Sequence, residues 1–223
     1  MNPRRIIIPA AGNAVRFGGI LKELLPISET ECALSYAVKT AGMFGTPVVI
    51  TNASKEPFQR KALARAGAPL VEFIEQADYA HDLWSAIQCG LQAGCAGGLI
   101  LADTVAEFEL QVPLKGHNQL VFGCFETTEP SRFSIVLETA RIATKEANPP
   151  GNKAWGMVFW HEQVTEYLLE LHARKHVAHY DRAFEAAMAQ FEWGVFPLKA
   201  YADLGTFAAY RDFILSTSPK KNL

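Results

Sequence analysis

Long apolar runs are missing from this chain of 223 residues. None approaches the roughly 20 residues that a membrane-spanning helix needs. The amino terminus MNPRR is basic, but only Ile6, Ile7 and Ile8 follow before Pro9, too short for the apolar region of a signal peptide. A large charge of either sign is also absent. The formal net charge is −2, which gives no bulk attraction to nucleic acid or to an anionic membrane, so any phosphate binding has to be local. The four cysteines, Cys32, Cys89, Cys95 and Cys124, contain no CxxC spacing, which argues against a zinc ribbon or a dithiol redox motif. Buried free thiols in a reducing cytoplasm are the expectation. There is no Gly-Lys-Ser/Thr of a P-loop, no HExxH, no internal repeat and no low-complexity tract. His172, His176 and His179 fall at helical spacing without a metal-binding motif around them and read as a solvated face or a helix end. Trp84, Trp155, Trp160 and Trp193 lie in apolar contexts with no basic patch interleaved, which points to core rather than to nucleic-acid stacking.

Hydrophobic residues make up 49% of the chain, enough for a sizeable core without disulfide staples. In the first half, strand and helix signals alternate. The run Ile6–Ile8 reads as a buried strand. ECALSYAVKTAGMFG has helical apolar spacing and a glycine at its end, and PVVITN is a second short strand. KEPFQRKALARAGA is a helix with a solvated basic face, PLVEFIEQ a third strand, and Asp82 an N-cap for LWSAIQCGLQAG. GGLILAD is a fourth buried strand. This order predicts an α/β domain with a mostly parallel, mixed and twisted sheet between helical layers and right-handed crossovers. Ligands of such sheets gather beyond the carboxyl ends of the strands.

Two features fall at those ends. After the first strand come Ala10, Ala11, Gly12 and Asn13, then Arg16, the Gly18-Gly19 pair and Lys22. Small residues let a polyphosphate approach backbone N–H groups, and the two cations neutralise its charge. The loop lacks the glycine pattern of a dinucleotide fingerprint. At the end of the fourth strand stands Asp103, a carboxylate that needs a cation for a partner, and Mg²⁺ is the usual one beside a triphosphate.

The segment PAAGNAVRFGGILKELLPI resembles the amino-terminal signature AAGxGTR…K…LLPI of the nucleotidyltransferase superfamily with the GT-A-like fold. The match lies in Ala10, Ala11, Gly12, Arg16, Lys22, Leu24, Leu25, Pro26 and Ile27. Ala14 replaces the second glycine. Asp103 falls on the metal-binding aspartate of that family's LGD or LAD stretch. Asp203, in Tyr201-Ala202-Asp203-Leu204-Gly205-Thr206, falls on the second one in W-x-D-x-G-T. The stretch VFGCFETTEPSRFSIV is similar to the sugar-1-phosphate nucleotidyltransferase pattern GYxVxDPxRYGVV in Glu129, Pro130, Arg132, Phe133 and Val136, with Ser134 in place of a glycine. ARIATKEANPPGNKAW lines up with EKPxxPxSNxA through Lys145, Pro150, Asn152 and Ala154, with Thr144 in place of a sugar-gripping glutamate.

The resemblance implies one Rossmann-like, three-layer nucleotidyltransferase domain over residues 1–223, with an acceptor-binding subregion at about 105–160. It implies transfer of a nucleotidyl group from a nucleoside triphosphate to a sugar-1-phosphate-like acceptor, with release of pyrophosphate. Asp103 and Asp203 would hold Mg²⁺, Arg16 and Lys22 would stabilise the leaving pyrophosphate, and Ala10, Ala11, Gly12, Asn13 and Gln76 would contact the nucleotide. Lys145, Ser134 and Asn152 would meet the acceptor. Homo-oligomers are common in the family, whereas nucleic acid and membrane are not expected partners. Two alternatives stand beside this one. The Arg-x-Gly-Gly-x-x-Lys outline is similar to molybdenum-cofactor nucleotidyltransferases, which implies a pterin phosphate or a phospho-alcohol as acceptor. The departures at Ala14, Asp82, Ser134 and Thr144 allow a nucleotide-sugar-binding module without turnover.

Overall fold

A computed structural model of the chain describes residues 4–12, 18–76, 82–95, 97–108, 119–174 and 177–217. Its centre is a mixed sheet. β1 (Arg5–Pro9) lies between β2 (Thr46–Thr51) and β4 (Gly97–Ile100), parallel to both, and β3 (Glu72–Glu75) is parallel to β2 at the edge. The crossovers are α1 (Ala33–Gly42), α2 (Glu56–Arg65) and α3 (Leu83–Gln92). Beyond β4 the direction reverses. β9 (Lys153–Trp160) runs antiparallel to β4 and to β6 (Leu120–Glu126), and β10 (Trp193–Pro197) closes the far edge parallel to β6. The strand order is β10-β6-β9-β4-β1-β2-β3. Sequence order is reversed between β1 and β4, so the crevice for a ligand opens there.

Alternation of side chains along β1 builds the layers on both faces. Ile6 and Ile8 pack with Leu34, Val38 and Ala41 of α1, while Ile7 packs on the other face with Ile87 and Leu91 of α3. That second face is extended by α4 (Glu162–Ala173) and α5 (Tyr180–Gln190), whose Val164, Leu168, Phe184 and Ala187 complete the larger core. The structure is thus a single α/β domain with six α-helices among the described residues, and the predicted sheet, crossovers and Asp82 cap are all present. Asp82 accepts the Ser85 N–H. Among the described residues no helix is long and apolar enough to cross a membrane.

Two smaller pieces complete the cleft. β7 (Ser134–Leu137) and β8 (Arg141–Thr144) form a hairpin attached to β9 through Ile135 and Ala154. β5 (Thr104–Glu107) pairs antiparallel with β11 (Ala200–Asp203), after which α6 (Phe207–Thr217) follows. The Tyr210 hydroxyl of α6 donates to the Pro26 carbonyl at 2.7 Å.

Two sequence expectations change here. The basic face of α2 is not all solvated, because Lys55 at its N-cap is 4% exposed. Trp155 is buried, as a core residue should be, yet one edge also faces the cleft. Cys32, Cys95 and Cys124 are buried free thiols, and Cys89 is half-buried.

The β6–β9 register slips between Gly123 and Cys124, which pair with Met157 and Trp155, so Gly156 is left as a bulge residue. The Tyr201 ring fills the space over it: a Cβ there would lie 2.1 Å from Tyr201 Cε2. Tyr201 also stacks on Phe125 at 4.1 Å and stands two residues before Asp203. A Gly156→Ala change should therefore push Tyr201 and the β11 end out of place. The expected cost is about 1–3 kcal/mol in chemical denaturation, the usual range for overpacking, and the near-ultraviolet dichroism of the tyrosine should change with it.

Candidate active site

A cleft of about 660 Å³ opens where β1 and β4 end. Ala10, Ala11 and Gly12 form one wall, with Lys22 and Glu23 beside them; Asp103, Asp203 and Gly205 stand at the middle. Ser134, Lys145, Trp155 and Tyr180 lie at the other end. Of the residues anticipated from sequence, the cleft lining includes Ala10, Ala11, Gly12, Lys22, Gln76, Asp103, Ser134, Lys145 and Asp203. Gln76 is buried rather than a surface residue, and its N–H donates to the Thr51 carbonyl. Asn152 is not in the lining. It is exposed, and its carbonyl accepts the Thr127 N–H at 3.0 Å. Asn13, Ala14, Arg16 and His176 lie outside the described residues.

The two aspartates, far apart in sequence, are brought together by the β5–β11 ladder. Asp203 pairs in register with Thr104, and the Leu204 N–H donates to the Asp103 carbonyl at 2.9 Å. Asp203 Oδ1 and Asp103 Oδ2 lie 2.7 Å and 3.5 Å from the point where a Cβ on Gly205 would sit, so only glycine leaves the space between them open. Each carboxylate has its own partners. Lys22 Nζ is 2.5 Å from Asp103 Oδ2, the Gly205 N–H donates to Asp203 Oδ1 at 2.8 Å, and Arg132 approaches Asp203 Oδ2 at 4.0 Å. Burial, and then the neighbouring Asp103 charge, raise the Asp203 pKa above the ordinary carboxylate value despite these partners. Paired hard oxygens of this kind suit Mg²⁺, which typically takes one or two carboxylates and fills its shell with phosphate oxygens and water. No group of three or more metal-ligating side chains occurs among the described residues.

The wall of small residues is held from behind by a network not foreseen from sequence. Lys55 Nζ donates to the carbonyls of Ala10 at 3.2 Å and Gly12 at 2.5 Å, and pairs with Glu23 Oε1 at 2.8 Å. Gln59 Nε2 donates to the Ala10 carbonyl and to Glu23, while Asn52 Nδ2 takes the Ala11 carbonyl at 2.9 Å. All three successive carbonyls are thus tied to side chains of the β2–α2 corner. The available signal was a lysine at a helix N-cap, where the helix dipole disfavours a cation and a buried acid is needed to hold it.

A second buried acid, Asp181 in the first turn of α5, was also missed. It is fully buried, and it accepts Ser134 Oγ at 2.6 Å and Trp155 Nε1 at 3.1 Å. Burial raises its pKa. Lys145 follows β8 with a left-handed φ of 49°, a conformation that costs a non-glycine residue on the order of 1 kcal/mol or more and turns the chain at the cleft rim.

No family model matches the sequence, and neither does any curated protein. Solved structures do match in shape. A UDP-glucose pyrophosphorylase complexed with UDP-glucose superposes with a TM-score of 0.76 at 18% identity, covering 96% of this chain and 97% of that one. The chain has the nucleotidyltransferase fold. A protein assigned as a glucose-1-phosphate thymidylyltransferase from Bacillus anthracis matches with a TM-score of 0.78 at 17% identity over 96% and 94% of the two chains. The CTP:phosphocholine cytidylyltransferase of Streptococcus pneumoniae matches with 0.75 at 15% identity over 97% and 100%.

Two outcomes follow from these environments. The folded state holds a proton on Asp203 more tightly than the unfolded chain does. Its ionisation therefore lowers stability as pH rises above the unfolded value near 4, and has no effect below it. In metal-free buffer Asp203→Asn should melt at a higher temperature than the parent at pH 7, with the gain vanishing towards pH 3. For the buried pair, Lys55→Met should cost about 3–5 kcal/mol by stranding Glu23. The double change Lys55→Met/Glu23→Gln should recover most of that in urea unfolding, yet still bind nucleoside triphosphate more weakly by titration calorimetry.

Proposed function

We infer that this protein is a nucleotidyltransferase, which moves a nucleotidyl group from a nucleoside triphosphate to a sugar-1-phosphate-like acceptor and releases pyrophosphate. The observation that carries this reading is the meeting of Asp103 and Asp203 across Gly205, beside Lys22 and the Ala10–Gly12 wall, in one cleft. A pair of like charges held this close suits a divalent cation, and beside a polyphosphate wall that cation would serve phosphoryl chemistry.

The chemistry asks little covalent work of side chains. An oxygen of the acceptor phosphate attacks the α-phosphorus in line, the bond from that phosphorus to the bridging oxygen breaks, and pyrophosphate leaves with the electron pair. The acceptor is already an anion, so no general base is needed. Catalysis is then positioning and charge stabilisation. Mg²⁺ on Asp103 and Asp203 would supply neutralisation at the α-phosphate. Lys22 is a half-buried ammonium at the wall where the β- and γ-phosphates would sit, and Arg16 is assigned to the same charge by resemblance. Arg132, 4.0 Å from Asp203, lies where it can shift onto phosphate oxygen. Lys145, at the opposite rim, is suited to the acceptor phosphate.

The neighbours in shape include a UDP-glucose pyrophosphorylase seen with UDP-glucose and another seen with UTP, which supports both a nucleoside triphosphate and a sugar phosphate as substrates. A phospho-alcohol acceptor is the second reading. It is favoured by Thr144 in place of a gripping glutamate and by the aromatic walls Phe133, Trp155 and Tyr180. The test is pyrophosphate release with Mg²⁺, each nucleoside triphosphate in turn, and a panel of hexose 1-phosphates, phosphocholine and phosphoethanolamine. Turnover on a hexose 1-phosphate is the expected result, falling on the order of 10²-fold or more in Asp103→Asn and in Asp203→Asn. Tight nucleotide binding with no turnover on any acceptor would make the chain a binding module.

A further inference from the structure

The acceptor end of the cleft departs from the resembling family at Ser134, and the structure gives that serine a fixed hydrogen-bond sense. Its hydroxyl donates to Asp181 Oδ2 at 2.6 Å. Asp181 Oδ1 is taken by Trp155 Nε1, which can only donate, and the Asp181 carboxylate sits with no solvent exposure in the first turn of α5, where the helix dipole favours its negative charge. Against the ionised Asp181 carboxylate the one proton of Ser134 is committed inward. With that proton given to Asp181, the Tyr180 hydroxyl, which hydrogen-bonds the same serine side chain, donates to Ser134 Oγ, and of the two lone pairs of this oxygen one is left for the cleft that Ser134 lines. Ser134 is itself 7% exposed, and that small opening faces the cleft. Trp155 and Tyr180 pack edge to face at 5.9 Å and form an apolar flank beside it.

On the reading above, we propose that Ser134, polarised by Asp181, is a specificity residue that accepts a hydrogen bond from a hydroxyl of the acceptor. The ligand class is a phosphorylated polyol or sugar with its ring face on Trp155 and one hydroxyl donating to Ser134 Oγ. A glycine at this position offers no side-chain acceptor, and a quaternary ammonium has no proton to donate. Discrimination follows because a ligand lacking that hydroxyl forgoes the bond and leaves one lone pair of Ser134 Oγ unfilled in a largely dry site.

The test is titration calorimetry of the full chain with glucose 1-phosphate, galactose 1-phosphate, each monodeoxy analogue of whichever binds, and phosphocholine. One deoxy position should weaken binding to the parent protein by 10-fold or more. In Ser134→Ala the hydroxylated ligand should lose about as much, and that same deoxy analogue should lose nothing further. The deoxy series on the parent protein needs no variant, so a misfolded Ser134→Ala would not shield the proposal. Equal binding of all deoxy analogues, hexose phosphates that do not bind, or phosphocholine binding more tightly than they do would overturn it. The pyrophosphate assay fails separately. Turnover without any hydroxyl dependence sinks only the role of Ser134, while hydroxyl-dependent binding without turnover sinks only the transferase reading.

Discussion

Two carboxylates far apart in the sequence, Asp103 and Asp203, face each other in a partly dry cleft, and much of the local architecture is an answer to their repulsion. At separations of a few ångströms and an intermediate dielectric, like charges repel by several kcal/mol. The opposition comes from covalent geometry and from cations. The β5–β11 ladder fixes both backbones, Lys22 sits on one carboxylate, and Arg132 stands near the other. Even so, the Asp203 pKa stays raised. The fold holds the pair in a state that favours taking up a cation, so the electrostatic strain within the cleft and its chemistry have one origin.

That arrangement has a consequence for Lys22. The same ammonium that steadies Asp103 in the free chain is the one assigned to the polyphosphate, and it cannot do both fully at once. A divalent ion entering between the carboxylates would displace it from Asp103, and an arriving triphosphate would draw it the same way. Metal and triphosphate should accordingly assist each other's entry, with no moving domain required. Lys55 serves differently. Buried and tied to two backbone carbonyls and to Glu23, it has no freedom to follow a ligand, and its part is to keep the wall of small residues in shape.

How far the sequence revealed this depended on whether a residue's partner was local. The buried β1, the crossover helices and the Asp82 cap follow from apolar periodicity and short-range hydrogen bonding, and all were legible. Asp103 and Asp203 were legible as a pair because each sits in a short motif at the end of a strand. Lys55 and Asp181 were not. Lys55 looked like one more cation on a basic helix, and its partner Glu23 is 32 residues away. Asp181 looked like an ordinary first-turn acid, though its hydrogen-bond partners lie on β7 and β9. Asn152 has no such local signature: it falls just before β9, is exposed, and its backbone carbonyl accepts the Thr127 N–H.

The cleft also divides by construction. The phosphate end rests on the switch point of the parallel sheet and is braced by α2, with Lys55 and Gln59 fixing carbonyls that any substitution would disturb. The acceptor end rests on the β7–β8 hairpin, joined to the sheet by a single described residue pair, and on the first turn of α5. Side chains there can change without altering the ladder that holds Asp103 to Asp203. This is the end where the chain leaves the resembling family's pattern, at Ser134 and Thr144, which pair across the hairpin. A fold built this way keeps the chemistry of one phosphorus centre constant while the hairpin decides what is brought to it, and the buried Asp181 is what gives that decision a direction.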